Sequence, residues 1–409
     1  KEEILKNQIF GNKNALKING QFVRIQKAPE PEDINWNALS CKQSQQFKKR
    51  VFSALFTIFL LFSSFSIIYY LMNLQVNFKE QPPFPEEVYK MKMLALTISI
   101  VIQILNFLLQ KVLNFLSSFE QHYTKTKELS SLSQKLAIVQ FINTALIALL
   151  IKVLQYQLNN PEKAKSNIYI NGGLIYNQQY VFLSSLFFPF IQLADFGRLY
   201  KVLKRKIIQK DNLTQAQLNE LYEDSVHNIA YDYGGVIKTM YVTAFYAPLI
   251  PIGIIISIFN ILINYFIQKY LLLTHRSVKY SVSDCISRDM IEQLEHLLPI
   301  YCISNALFQY LLKDGQNISN FGYAGIFISA IHVILPMRSF NEFFFYVKKA
   351  PDLHETYNEN YLNFQFDYDR ANPATNQVAK KEFVDGKKQK KVIYQWQSVL
   401  LANQKQFQN

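Results

Sequence analysis

The chain has 409 residues, of which half are apolar and only 18% are charged. Ordinary soluble chains carry about 25% charged residues. The mean hydropathy is nevertheless +0.01, and the formal net charge is +13. Long apolar runs separated by Lys-rich connections reconcile these values, and they disfavour a soluble enzyme, a disordered chain and a disulfide scaffold. Three distant cysteines, Cys41, Cys285 and Cys302, provide neither a disulfide framework nor a paired metal-ligand spacing.

Eight apolar segments are predicted to be membrane-spanning helices. A helix crosses the hydrocarbon core with about 20 mostly apolar residues, and the first segment contains no charged residue. In chain order, the predicted spans are 51–72, 91–115, 136–157, 178–196, 234–247, 249–268, 292–313 and 319–338. The predicted fold class is therefore all-α, a polytopic membrane helix bundle.

The distribution of Lys and Arg between the spans predicts the orientation of the chain. Cytoplasmic loops keep an excess of positive charge, and the loops here alternate between poor and rich in basic residues. The segment 198–210 after the fourth span is the richest, whereas the turn between the fifth and sixth spans has none. Both chain ends are therefore predicted to be cytoplasmic, with a glycosylation sequon at Asn317 on the outer side. A plasma membrane is expected, with an internal membrane as the alternative.

Three parts are predicted along the chain. Residues 1–46 are polar and are expected to be the end of a larger cytosolic domain, since the chain begins with Lys rather than Met. Residues 47–345 form the predicted transmembrane pore domain, and residues 346–409 form a polar cytosolic tail. Within the loop after the fourth span, Thr214 is the predicted N-cap of a short amphipathic helix.

Four short motifs occur along the chain. FVRI at 22–25 with APEPEDINW at 28–36 comes first, and FEQHYT at 119–124 comes second. DFGRL at 195–199 and YAPLIPIG at 246–253 follow. Together with the predicted topology, these motifs resemble the OSCA-type stress-gated cation channels, relatives of the anoctamins and of the transmembrane channel-like proteins. The resemblance covers residues 20–345.

This resemblance implies a fold of eleven transmembrane helices in an anoctamin-like arrangement. The chain would supply the end of a cytosolic domain and the last eight helices, and would lack the three leading ones. The implied function is a calcium-permeable cation channel opened by membrane tension or osmotic stress, with a complete pore in each chain of a homodimer. Membrane lipids and permeant cations are the implied partners, and neither a cofactor nor nucleic acid is expected.

Polar side chains at helical spacing within the predicted spans are candidates for pore lining. Gln140, Asn143 and Thr144 share one helix face, since they lie at i, i+3 and i+4. Hydrogen bonding between helices, worth about 0.6 kcal/mol on average, is the alternative role for such amides. The candidates are Asn106, Gln140, Asn143, Thr144, Gln192, Asp195, Thr239 and Thr243.

A hydrophobic gate and hinge residues are also predicted for the pore. Phe187, Phe188 and Phe190 lie near the middle of the fourth span and are predicted to form a hydrophobic gate that wets on opening. Gly197, Pro248 and Pro251 are the predicted hinges, and a tight turn is the alternative role of the two prolines.

Other functions are weighed against the channel. Acidic residues between 284 and 295 do not form the set of six to eight oxygen ligands that calcium takes, so that no metal site is predicted. No catalytic constellation indicates an enzyme. A phospholipid scramblase of the same fold and a non-conducting scaffold subunit in a larger assembly are the alternative functions.

Overall fold

The computed structural model describes residues 17–18, 21–22, 29–77, 85–158, 173–207, 215–278, 282–312, 319–334, 381–384 and 387–390. The chain divides into two compact units, one of residues 35–361 and the other of residues 1–34 with 362–409. Thr214 and Asn317, which the sequence singles out, lie outside the described residues. In the second unit Lys17–Ile18 pairs antiparallel with Gln21–Phe22, and Lys381–Val384 pairs antiparallel with Lys387–Lys390.

Helices form nearly all of the secondary structure described in the first unit. A π-helical turn, Ile142–Leu146, joins the helix Lys125–Phe141 to the helix Ile147–Leu158. Ser225–Val226 pairs with Arg276–Ser277 in a short parallel ladder. In chain order the helices are α1 (Gln43–Asn77), α2 (Pro85–Phe119), α3 (Lys125–Phe141), α4 (Ile147–Leu158), α5 (Leu174–Leu193), α6 (Phe196–Ile207), α7 (Gln215–Tyr222), α8 (Ile229–Tyr246), α9 (Ile252–Thr274), α10 (Cys285–Leu294), α11 (Leu297–Leu312) and α12 (Asn320–Ile334).

Within the described residues, five helical segments are long and apolar enough to cross a membrane. They are Gln43–Gln75, Tyr89–Phe119, Lys125–Gln155, Leu174–Ile207 and Ile252–Thr274. The predicted all-α helix bundle is confirmed. Three of the eight predicted spans coincide with α8, α11 and α12, which fall outside this group of five.

Several helix ends differ from the sequence-based bounds for local reasons. The third helix begins at Lys125 rather than at 136, because the Thr124 hydroxyl accepts a hydrogen bond from Lys127 N (3.2 Å) and caps it. The helix of the fourth predicted span, α5, ends at Leu193, and Asp195 just beyond it adopts a left-handed φ of 32°. The segment predicted as 292–313 is divided between α10 and α11 at Glu295 and His296.

The core of the bundle lies where α8 packs along α3. Phe141 on α3 meets the rings of Tyr241 and Phe245 edge-on, each with centroids 5.8 Å apart. Phe308 on α11 contacts Phe245 and Tyr246 from the opposite side, at 5.5 and 5.9 Å. Burial of aromatic side chains in offset and edge-to-face pairs stabilises a core beyond the effect of the area alone. This core holds α3, α8 and α11 in fixed register.

Candidate ion pathway

Four of the predicted pore-lining residues form one hydrogen-bonded group between α2 and the α3–α4 helix. Asn106 Nδ2 donates to Thr144 Oγ1 (2.9 Å), and Asn143 Nδ2 donates to Asn106 Oδ1 (2.8 Å). Gln140 Nε2 donates to the Asn106 carbonyl (3.1 Å). We call these four residues the interior amide cluster. All four side chains are buried. The cluster therefore links two helices and places polar atoms inside the bundle.

The interior amide cluster is built on a π-helical turn that sequence reasoning did not detect. Asn143 and Thr144 lie within this turn, Ile142–Leu146. Single π turns inside α-helices are found frequently at functional sites. Here the Ala145 carbonyl accepts a hydrogen bond from the Tyr246 hydroxyl (2.9 Å). The first residue of the YAPLIPIG motif thereby fixes the π turn from α8.

Further amide atoms in the bundle are buried and have no hydrogen-bond partner among the described residues. They are both amide atoms of Gln178 on α5, the side-chain oxygens of Asn143 and Asn260, and the side-chain nitrogen of Gln155 on α4. Gln178 is only 1% exposed. Buried polar groups are nearly always satisfied by protein or by ordered water. Ordered water is the remaining kind of partner for such atoms. Gln178 was not among the residues predicted from the sequence, although it lies at i+4 from Leu174 at the start of an apolar span.

Gln192 and Asp195, which were both predicted to line the pore, lie at the end of α5 and anchor it to other segments. Gln192 Oε1 accepts a hydrogen bond from Gln268 on α9, whose own oxygen accepts from Arg276 Nη1 (2.7 Å). Asp195 Oδ2 accepts a hydrogen bond from Ser225 Oγ (3.0 Å). The structure thus separates these two residues from the interior amide cluster and gives them positioning contacts at one end of the bundle.

Thr239 and Thr243 lie on α8 and bond mainly to their own helix. Thr239 Oγ1 donates to Gly235 O (2.9 Å), and Thr243 Oγ1 lies 2.7 Å from Thr239 O. Thr243 Oγ1 also lies 2.6 Å from Ser257 Oγ on α9. A hydroxyl that bonds to the i−4 carbonyl satisfies itself within the helix. The pair of hydroxyls at Thr243 and Ser257 is the polar link between these two helices.

The residues predicted as a hydrophobic gate differ in their surroundings. Phe187 and Phe190 are 64% and 51% exposed on the outside of this chain. Phe188 contacts Phe107 on α2 edge-on, with ring centroids 6.4 Å apart. The gate stays a prediction, and of the three residues Phe188 has the helix-to-helix contact that a constriction within one chain requires.

The predicted hinges occupy turns, and a further proline lies inside a helix. Pro248 and Pro251 belong to the turn between α8 and α9, with Pro251 at the N-cap of α9. Gly197 lies in the first turn of α6, two residues beyond the left-handed Asp195. Pro189 lies within α5, where a proline removes a backbone hydrogen bond and bends the helix. Its position within FFPF is the signal that sequence reasoning passed over.

The FEQHYT motif forms a hairpin between α2 and α3 that is tied to α1. We call residues 119–124 the 119–124 hairpin. Gln46 Nε2 donates to the Gln121 carbonyl (2.8 Å), and Lys49 Nζ donates to Gln121 Oε1 (2.6 Å). Gln121 itself has a left-handed φ of 54°, so the turn is held by contacts from a neighbouring helix.

Glu120 is the charged centre of the 119–124 hairpin. Its carboxylate is completely buried, accepts a hydrogen bond from His122 Nε2 (3.0 Å) and pairs with Lys135. Arg50 Nη2 lies 3.4 Å from His122 Nδ1. Since guanidinium groups only donate, this contact assigns the proton to Nε2 of His122. Burial raises the pKa of Glu120, but the bonds from His122 and Lys135 outweigh burial and lower it to about 2.

The profile of the anoctamin family, described as calcium-activated chloride channels, matches residues 12–344. The chain belongs to the anoctamin family. No curated protein sequence matches the chain significantly. The match and the long apolar helices together make this anoctamin an integral, multi-pass membrane protein of a family of ion channels and scramblases. The sequence-based assignment to the anoctamin superfamily is confirmed.

The family description raises the question of a calcium site in this anoctamin. Calcium takes six to eight oxygen ligands, several of them from carboxylates. In the part of the chain that the structure describes, no group of three or more His, Cys, Asp and Glu side chains could hold a metal ion. The described helices therefore do not fit a calcium-activation site, and no step of the function proposed below depends on one.

The hydrogen bond between Asn106 and Thr144 can be tested by a double-mutant cycle. We expect Asn106→Ala and Thr144→Ala to show a coupling free energy of about 0.6 to 1.7 kcal/mol, between the average and the maximum of such couplings in a membrane helix bundle. Unfolding in mixed micelles measures it. Thr97, whose hydroxyl bonds only to its own helix, provides the control, because Thr97→Ala and Thr144→Ala should be additive. Additivity in both cycles would contradict the pairing.

Proposed function

We propose that this anoctamin is an ion channel that opens under membrane tension or osmotic stress and passes cations, calcium among them. The proposed path runs inside one chain between α2, the α3–α4 helix, α5, α8 and α9. The observation that carries the proposal is the set of buried amide atoms without partners at Asn143, Gln178 and Asn260. In a membrane such atoms are tolerated where water reaches them, and a hydrated interior is what an ion needs.

Contacts on both sides of α5 support its role as one wall of the path. Phe188 packs against Phe107 on α2. On the other side Gly253 of α9 lies so close to Phe182 that an added Cβ would approach the ring to 2.9 Å. Gln178 lies one helical turn from Phe182 along α5. The unpaired amide of Gln178 is therefore close to the contact between α5 and α9.

The ends of α5 suggest how tension would act on it. Pro189 interrupts its backbone hydrogen bonding, and the left-handed Asp195 ends its last turn. Gln192 and Asp195 connect that end to α9 and to Ser225. Tension favours the state with the larger area in the membrane plane. A tilt of α5 about its anchored end at Gln192 and Asp195 would separate Phe188 from Phe107 on α2 and admit water past this apolar contact.

We further propose the orientation and assembly that accompany this function. The basic residues of α6 support a cytoplasmic position for its end of the bundle, since cytoplasmic loops keep the positive charge. Both chain ends are then cytoplasmic, in a plasma membrane. A homodimer with one path in each chain is the proposed assembly, as the resemblance of the four motifs to the OSCA-type channels implies.

Anion conduction is the second candidate, because the helices of the proposed path carry Lys152, which is buried, and Lys238, which is half-buried. Lys152 on α4 is 3% exposed, and its Nζ donates to Gln155 Oε1 (3.2 Å). Lys238 lies on α8, half-buried. Rings of basic side chains favour anions in pores, and the family description names chloride. The sign of selectivity therefore has to be measured.

Currents in reconstituted membranes test the proposed function. The full chain in liposome patches should conduct when suction is applied, and protein-free patches should not. Under a salt gradient, the reversal potential should have the sign of the potassium equilibrium potential. The opposite sign would replace cation conduction with anion conduction. Loss of labelled-lipid asymmetry without current would contradict the channel and favour a scramblase.

A further inference from the structure

Helix α6 separates its apolar and basic side chains onto different faces. Leu199, Leu203 and Ile207 follow one another at i, i+4 and i+8, and Tyr200 lies beside them on the same face. The basic side chains occupy the rest of the surface and are Arg198, Lys201, Lys204, Arg205 and Lys206. A helix with this separation and this charge has the pattern of helices that lie at a membrane surface.

The basic face of α6 is held by the protein itself. Lys201 Nζ donates to Glu223 O (2.9 Å), and Arg205 Nε donates to Leu221 O (2.9 Å) while its guanidinium lies over the Tyr222 ring. Arg198 Nη1 lies 2.7 Å from His275 Nδ1. These partners are carbonyls and rings. Within the described residues, none of the five basic side chains pairs with a carboxylate, so their charge is not neutralised by the protein.

The apolar face of α6 has no covering element among the described residues. Leu199 and Leu203 are 49% and 58% exposed, and Tyr200 and Ile207 are 64% and 80% exposed. An amphipathic helix of a soluble protein turns its apolar face to the core. In α6 the arrangement is reversed, since Lys201 and Arg205 contact the segment of α7 and the apolar face is open. We therefore expect the environment of this exposed face to be apolar as well.

The position of α6 directly after α5 indicates that this apolar environment is the membrane. The two helices together span Leu174–Ile207, 34 residues, or about 51 Å as one straight helix, against a hydrocarbon core of about 30 Å. The whole stretch is too long to cross the core upright. The left-handed turn at Asp195, held by Ser225, separates the two helices. Arg198 and Arg205 tie both ends of α6 to His275 and Leu221, at the same end of the bundle.

We infer that α6 lies in the plane of the cytoplasmic membrane surface and binds the headgroups of anionic phospholipids. Leu199, Leu203 and Ile207 enter the boundary between headgroups and acyl chains, and Lys204 and Lys206, which are exposed, contact the phosphates. Basic residues next to a membrane span attract anionic lipid with about 1 kcal/mol each. This inference goes beyond the proposed function and does not depend on conduction, because its tests are spectroscopic.

Spin-label accessibility tests the placement of α6 in the full chain reconstituted in vesicles. A nitroxide is attached to Leu203→Cys, and in separate samples to Leu199→Cys, Lys204→Cys and Ile207→Cys, after replacement of the native cysteines. We expect labels at 199, 203 and 207 to collide more with oxygen than with a water-soluble nickel complex, and the label at 204 to show the reverse. A water-exposed label at 203 would overturn the inference. So would a label shielded from both reagents, which would mean that protein, such as a second copy, covers the face.

Charge removal tests the preference for anionic lipid. Phosphatidylserine added to phosphatidylcholine vesicles should increase the immobilisation of the label at 203. The double variant Lys204→Gln/Lys206→Gln should need more phosphatidylserine for the same effect, by about fivefold for each lysine. Lys90→Gln/Lys92→Gln removes the same charge from exposed lysines at the start of α2 and should leave the titration unchanged. Equal effects of the two double variants, or no dependence on phosphatidylserine, would overturn the proposed lipid preference.

Discussion

Replacement of Glu120 by Gln should lower the free energy of unfolding near neutral pH by about 3 kcal/mol. The carboxylate is completely buried and is bonded to His122 and Lys135. Those bonds outweigh burial and lower its pKa from 4.5 to about 2, and each pKa unit corresponds to about 1.4 kcal/mol. The Gln side chain has the same shape but is neutral, so its bonds to His122 and Lys135 are no longer assisted by a negative charge. Lys135 then lacks its anionic partner.

The pH dependence of this effect has a definite sign. A group whose pKa is lowered by folding stabilises the protein above its ordinary pKa, and that contribution is lost as the pH falls toward the folded value. The difference in melting temperature between the parent chain and Glu120→Gln should therefore be full above about pH 4.5 and shrink toward pH 2. Glu292, which is exposed, gives the control Glu292→Gln with little effect. A difference that is constant over this pH range would contradict the role of Glu120.

Gly234→Ala should destabilise the bundle by about 1 to 3 kcal/mol, the usual cost of overpacking a core. A Cβ at Gly234 would lie 2.9 Å from Leu136 Cβ and 3.2 Å from the Ser133 carbonyl. α8 cannot move away freely, because Tyr241 bonds to the Gln293 carbonyl (2.6 Å) and Tyr246 bonds to Ala145. The clash therefore has to be relieved by a shift of a whole helix.

The next residue in the chain provides the matched control for this prediction. A Cβ at Gly235 has no atom within 4 Å. Gly235→Ala should therefore be neutral or stabilising by up to about 1 kcal/mol, because Ala favours a helix more than Gly does. Unfolding of both variants in mixed micelles measures the difference. Equal changes at the two positions would contradict the close packing of α8 on α3.

The sequence allowed the helices to be predicted better than their contacts. Apolar runs indicate a membrane helix by length and composition, which is why the all-α bundle was predicted. The i, i+3, i+4 spacing placed Gln140, Asn143 and Thr144 on one face, and the structure brings them together with Asn106. Periodicity identifies a face but not the helix that opposes it. Whether Asn106 meets Thr144 depends on tertiary packing, which a single sequence does not encode in its pattern.

Features that depend on backbone geometry escaped prediction for a related reason. The π turn at Ile142–Leu146 has no compositional signature, since its residues are ordinary helix residues. Asp195 was singled out for its charge, whereas its left-handed φ gives it a role in ending α5. Gln178 was not named because an amide at the edge of an apolar span resembles many others. Only the three-dimensional packing reveals that its amide atoms are buried without a partner.

Modification of a cysteine at position 178 tests the hydrated interior most directly. Under stretch, a charged, water-soluble thiol reagent should block the current of Gln178→Cys, because the side chain lies in the proposed path. Leu183→Cys on the same helix provides the control, since Leu183 is 44% exposed on the outside of the chain and its modification should leave the current unchanged. A stretch-evoked current that the reagent does not alter in Gln178→Cys would contradict an ion path beside α5.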